Sequence, residues 1–160
     1  MAYGITITYQ RNLTIQETLA IESATTPVIT HSALNFTDSK TSTSTPAVSK
    51  KAIDTVALVA GALTLDLTAL TDDNLGTVTL SGLKPEYVVL HNNGANVMTV
   101  EVGASNGYTG FGSAFSYTIP PGGDFSVKMN GGAAAVSGSV KTLDITGTGT
   151  QTLTYQIVAG

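Results

Sequence analysis

The residues that carry most protein chemistry are scarce in this chain: two histidines, no cysteine and no tryptophan. His31 and His91 fall in no H-x-H or H-E-x-x-H spacing of the kind that holds zinc. A hydrolytic triad would set one of them beside a serine, and the G-x-S-x-G elbow is absent. Each histidine therefore reads as a structural or surface residue. Asp72-Asp73-Asn74 could offer hard oxygen ligands to calcium, but the glycine and closing glutamate of a calcium loop are missing. A turn held by side-chain-to-backbone hydrogen bonds is the simpler expectation there. Glu17 and Glu22 define no carboxylate pair at a set distance, so glycosidase chemistry has no footing. The glycines of Gly107-Tyr108-Thr109-Gly110-Phe111-Gly112 do not lie between a strand and a helix, which excludes a dinucleotide cradle. No enzyme, cofactor, metal or small-molecule substrate is expected.

The densest chemical feature is aromatic. Tyr108, Phe111, Phe115 and Tyr117 fall close together in a chain that is only 6% aromatic. Such a group can fill the end of a sandwich, anchor a protein interface or stack on sugar rings.

The elements that would position these residues are strands. In Thr152 to Val158, Leu153, Tyr155 and Ile157 alternate with polar residues, the period of two that a half-buried strand needs. The same pattern marks Ile5 to Tyr9, Leu63 to Leu67, Val97 to Val102, Phe125 to Met129 and Leu143 to Ile145, while Val28 to Phe36, with imperfect alternation, and the short Ser116 to Ile119 also read as strands. Residues Leu13 to Ile21 fit either a strand or a helical turn. Asn92-Asn93-Gly94 reads as a hairpin turn between Tyr87–His91 and Val97–Val102, since Asn and Gly tolerate positive φ. Many short strands between frequent turns predict an all-β fold, a jelly-roll-like antiparallel β-sandwich. The run from Asp38 to Pro46 has no apolar anchor and reads as a surface linker. It divides an N-terminal strand-forming arm, residues 1–50, from a sandwich domain, residues 51–160.

At 11% charged residues and a net charge of −4, the chain lacks the basic patch that nucleic acid or an anionic membrane surface would require. No apolar run is long enough to span a bilayer as a helix. The first residues carry neither the cationic nor the apolar part of a secretory signal, so synthesis in a cytoplasm is expected, and the sequons at Asn12 and Asn35 read as chance. So few charges suggest that part of the surface is covered by another subunit.

Three stretches carry a resemblance: Tyr87 to Val100, Ile119-Pro120-Pro121-Gly122-Gly123, and the threonine-rich ending Thr142 to Ile157. Over residues 78–160 the pattern resembles the head decoration, or cement, proteins of tailed bacteriophages and related small virion β-sandwiches. The resemblance implies a structural virion protein on the capsid surface, contacting the major capsid protein, bridging capsomers and assembling as a homotrimer. Under that reading Ile5, Ile7 and Tyr9 in the arm, with Tyr108, Phe111 and Phe115 in the loop, are the expected interface residues. A head fibre, a tail component or a carbohydrate-binding module are the alternatives.

Overall fold

The computed structural model describes residues 5–18, 28–74 and 76–160, with residues 11–15, 17, 18 and 28–35 given by backbone alone. Within them the chain forms twelve strands and no helix. β1 (Thr6–Thr18) and β2 (Val28–Thr41) pair only with each other as a long antiparallel hairpin. The body contains β3 (Lys50–Ala57), β4 (Ala62–Asp66), β7 (Pro85–Asn92), β8 (Met98–Val102), β9 (Ser116–Ile119), β10 (Asp124–Lys128), β11 (Thr142–Thr146) and β12 (Thr152–Ala159). A two-residue ribbon, β5 (Leu70–Thr71) with β6 (Thr77–Val78), lies beside β3.

The pairings of the body are nested: β3 with β12, β4 with β11, β7 with β10, and β8 with β9. Two further pairings, β7 with β12 and β8 with β11, close the sheets β10-β7-β12-β3 and β4-β11-β8-β9. A long hairpin of four strand pairs rolled into two facing sheets is the jelly roll, so the sandwich expected from the alternation is the fold observed.

Alternation explains the core. Leu153, Tyr155, Ile157 and Ala159 of β12 all point between the sheets, as do Met98 and Val100 of β8 and Leu143 and Ile145 of β11. Each large side chain so buried contributes about 1.5–3 kcal/mol. The aromatic loop joins this core: Tyr108 is fully buried and donates through its hydroxyl to the Ala134 carbonyl at 3.0 Å. Phe111, Phe115 and Phe125 lie with ring centres 5.1–5.5 Å apart. Tyr117 leans on Phe125 at 5.3 Å. Together they plug the side of the sandwich where the chain passes from β9 to β10. Gly110 is required here, because a Cβ would lie 2.2 Å from the Tyr108 ring.

The connections differ from the sequence expectation. β7 and β8 do not form a hairpin across Asn92-Asn93-Gly94; they lie in opposite sheets, and residues 93–97 carry the chain between the layers. The same holds for β11 and β12 across residues 147–151. Turn chemistry fixes where the chain bends, but the strands' apolar faces are buried equally well across the sandwich as side by side. Asn92 shows what the bend is for. It is fully buried, donates to the carbonyls of Asn96, Ile119 and Pro120 at 2.8, 3.2 and 3.1 Å, and accepts from the Gly94 N–H at 2.8 Å.

Asp72 closes an edge. Its carboxylate accepts the Ile53 N–H of β3 at 2.9 Å and pairs with Lys51 at 3.0 Å, while Asp54 accepts the Thr55 N–H at 2.8 Å. Two outward main-chain donors of β3 are thus satisfied, which blunts that edge against pairing with another chain. Burial alone would push the Asp72 carboxyl up, but the Ile53 N–H and the Lys51 ammonium outweigh it and hold it below the ordinary carboxylate range. Asn74 accepts the Gly76 N–H at 3.0 Å, so this stretch is the hydrogen-bonded turn that its composition suggests.

Candidate functional site: a latched hairpin

The hairpin arm is the feature that the jelly roll alone does not require, and its attachment is built with care. In the β1–β2 register Ile7 faces Lys40 and Tyr9 faces Asp38, and cross-strand partners share one face of a ribbon. That face meets the outer side of the sheet β10-β7-β12-β3. There the register aligns Lys128 of β10, Tyr87 of β7 and Val158 of β12 in one row. Ile7 and Tyr9 pack against Tyr87, Val158 and the buried Val48 of the linker. The Tyr9 ring lies 5.2 Å from Tyr87 and 6.4 Å from Phe36.

Around this apolar contact stands a set of charged groups. The Tyr87 hydroxyl donates to Asp38 Oδ2 at 2.8 Å, and Lys128 forms an ion pair with the same oxygen. The Lys128 ammonium also sits 4.6 Å above the Phe36 ring, a cation–π contact. The Lys128 ion pair and the Tyr87 hydrogen bond hold the Asp38 carboxyl below its ordinary value. Burial, with the Asp38 carboxylate beside it, pushes the Tyr87 hydroxyl well above its ordinary value.

Deeper in, Lys40 of β2 donates to Asn130 Oδ1 at 2.8 Å and lies 3.6 Å from Glu86 Oε2. Both partners are removed from solvent, with side chains 5% and 0% exposed. The same Glu86 oxygen accepts the Gly131 N–H at 2.9 Å, and Glu86 Oε1 has no partner among the described residues. A buried carboxylate at the start of an otherwise apolar strand is costly, and Lys40 is what offsets it. The arm's base is therefore part of the solution to the body's own electrostatics.

Of the six residues singled out from the sequence, Ile7 and Tyr9 meet at this contact within one chain, and Ile5 lies just ahead of β1. Tyr108 has no exposed surface, so of the three loop aromatics only the half-buried Phe111 and Phe115 have surface left to offer a partner. The reading of Asp38 to Pro46 as one linker is corrected. Asp38 to Thr41 belong to β2, because pairing with β1 and bonds to the body hold them in line. The linker proper is residues 42–49. His91 is half-buried on the outer face of β7, in register with Asp124 and Thr154. His31 and Glu17 fall where only the backbone is given, and Glu22 lies outside the described residues. Among the described residues no three of His, Cys, Asp and Glu gather around one point. A hollow of about 420 Å³ on the β4–β11 edge is lined by Ala62, Leu63, Thr64, Asp144, Ile145 and Thr146. Its acid is already engaged by the Thr64 hydroxyl and the Ala104 N–H.

Sequence reasoning missed the latch residues Asp38, Lys40, Glu86, Tyr87 and Lys128. One signal was available: Phe36, Asp38 and Lys40 recur at every second position, as one face of a strand would. No family model matches this chain, and no match is found among curated proteins or among solved structures.

Proposed function

We propose that this chain is a structural virion protein, a decoration protein of a tailed-phage head that bridges neighbouring capsomers as a homotrimer. The observation that carries this reading is the latched hairpin. Its strands are 13 and 14 residues long, on the order of 40 Å when extended. Ile7, Tyr9, Phe36, Asp38 and Lys40 hold the hairpin to the body. A hairpin whose two strands form a sheet only with each other has outer strand edges from which main-chain groups can add to a neighbour's sheet. Work done through area and strand pairing needs no pocket, and it accords with the resemblance of residues 78–160 to cement proteins. Phe111 and Phe115, beside the exposed Tyr117, are the proposed contacts of the body with the capsid.

The test is antibody labelling of intact virions that carry the protein, viewed by electron microscopy, with a broad glycan array run in parallel. Label distributed over the head supports the decoration reading. Label confined to a head fibre or to the tail replaces it with one of those structural roles. Unlabelled particles together with a specific glycan signal would replace it with the carbohydrate-binding reading.

A further inference from the structure

Three groups of different chemistry meet beneath the arm: the Lys40 ammonium, the Asn130 carboxamide and the Glu86 carboxylate. Lys40 Nζ lies 2.8 Å from Asn130 Oδ1 and 3.6 Å from Glu86 Oε2. A carbonyl oxygen is about 1.2 Å from its carbon, so the lysine nitrogen stands within roughly 4 Å of the acyl carbon, Asn130 Cγ. A small rotation of the lysine side chain closes that gap to the roughly 3–3.5 Å from which addition occurs. Other lysines are placed differently. Lys51, Lys128 and Lys141 each meet an aspartate with their own side chains 22–39% exposed, whereas Lys40 is 5% exposed and faces a carboxamide.

Asn130 is held in place by its turn. It has φ 48° and Gly131 has φ 80°, both left-handed, and the Gly132 N–H closes the turn on the Met129 carbonyl at 2.9 Å. Asparagine and glycine are the residues that accept such angles. The turn is clamped to Glu86 on both sides of Asn130: the Met129 N–H donates to the Glu86 carbonyl at 2.9 Å, and the Gly131 N–H to Glu86 Oε2 at 2.9 Å. Glu86 Oε1, also buried, has no partner among the described residues. A buried oxygen left so beside an ammonium has unused capacity to take a proton.

We propose that Lys40 and Asn130 join in an isopeptide bond, formed by the chain itself with Glu86 as acid and base. The ion pair described above is the starting state. Solvent does not reach it, so passing one proton from Lys40 to Glu86 removes two buried charges and leaves a free amine. The amine adds to Asn130 Cγ, forming the new C–N bond and pushing the carbonyl electron pair onto Oδ1. Glu86 gives its proton to Nδ2 and recovers one from the attacking nitrogen. The carbonyl re-forms as the Cγ–Nδ2 bond breaks. Ammonia departs and carries off the remaining Glu86 proton as ammonium, which restores the carboxylate. Asn130 is exposed, which gives the ammonia a way out. The product ties β2 covalently to the turn after β10, so the arm can no longer leave its own body. This chemistry lies within one chain, goes beyond the virion reading and holds with or without a capsid.

The test is intact-mass spectrometry of the denatured full chain, freshly purified and after prolonged incubation at neutral pH, with tryptic mapping of the product. The expected mass is that of the sequence less one ammonia. The expected map holds a branched peptide in which Lys40 resists trypsin and is joined to Asn130. Asn93, Asn106 and Asn130 each precede a glycine and can lose ammonia by closing on their own backbone, so the variants matter. Lys40→Arg keeps the buried cation without a nucleophilic amine. Asn130→Gly suits the left-handed turn without an acyl group. In both, the branched peptide should vanish. Glu86→Gln keeps both reactants and removes the proton carrier, so the bond should form at least about a hundredfold more slowly. A wild-type map with Lys40 and Asn130 unjoined, or an ammonia loss that persists in Lys40→Arg with no branched peptide in the wild type, would overturn the proposal. A folded Glu86→Gln chain that cross-links at the wild-type rate would overturn the role given to Glu86. The wild-type map decides the bond even if no variant folds.

Discussion

Lys40, near the end of the hairpin arm, lies 3.6 Å from Glu86 at the start of β7, and neither side chain is more than 5% exposed. The pair joins a surface appendage to a body strand through a charge interaction that solvent does not reach. It has two consequences. Glu86 depends on the arm for its countercharge, and the arm depends on Glu86 for its placement.

Replacing one partner should therefore be worse than replacing both. Lys40→Met leaves the Glu86 carboxylate buried without a countercharge, which should cost about 3–5 kcal/mol. Lys40→Met with Glu86→Gln removes the uncompensated charge and should regain a large part of that loss. Urea denaturation of the wild type, both single variants and the double variant gives the coupling directly. A coupling near zero would mean that the two residues are merely close.

Acid should loosen the arm before it unfolds the body. The Asp38 carboxyl is held below its ordinary value near 3.8 by Lys128 and the Tyr87 hydroxyl. A carboxyl lowered in this way stabilises the docked arm fully above about pH 4 and stops doing so as the pH falls through its folded value. Hydrogen exchange of the amides of residues 6–10, followed from pH 6 to pH 3, should rise relative to that of β12 at the acid end. Tyr87→Phe should flatten this pH dependence and cost about 1 kcal/mol of docking. An equal acid response of β12 and the arm would mean that Asp38 contributes nothing particular to docking.

Strand positions were legible in this sequence because alternation is a local signal. β9 ends at Ile119 where the Pro-Pro-Gly corner says it should, and Leu153, Tyr155 and Ile157 face the core as their spacing requires. Pairing was not legible. The stretches on either side of Asn92-Asn93-Gly94 look like a hairpin, and only contacts with β10, β12, β9 and β11 send them to different sheets. The latch was hidden for the same reason. Asp38 and Lys40 look solvated in a run of Ser and Thr, and their partners Tyr87, Lys128 and Glu86 lie far along the chain. The aromatic loop was visible as a group, whereas its role as a plug depends on Phe125, from a strand that the loop itself does not reveal.

Asn92 offers the sharpest test of the corner that replaced the hairpin. Its side chain gathers three carbonyls from two connections and accepts the Gly94 N–H, all around a fully buried position. Asn92→Ala would leave several of these groups without partners, at about 1–3 kcal/mol for each one that water cannot reach. Asn92→Asp keeps the acceptor for Gly94 but turns the donating amide into a carboxylate facing three carbonyls, so it should be the more damaging of the two. Thermal melting ranks the three proteins, and the wild type should be highest and Asn92→Asp lowest. A hairpin turn at this position would reverse the order of the two variants, because Asp serves an exposed turn almost as well as Asn.

The aromatic plug should behave as one unit. Phe125 touches Phe111, Phe115 and Tyr117, with ring centres 5.2–5.5 Å away, and is the member that ties the loop to a strand. Phe125→Ala should cost about 3 kcal/mol, toward the lower end for a core aromatic because the residue is half-buried. Phe111→Ala added to it should then cost clearly less than it does alone, since the ring it would have packed against is already gone. The measurement is the urea midpoint of the four proteins in the cycle, with tyrosine near-ultraviolet dichroism reporting whether Tyr108 stays ordered. Strict additivity would mean that the rings fill separate spaces, and that Phe111 is held by Tyr108, 5.3 Å away, rather than by β10.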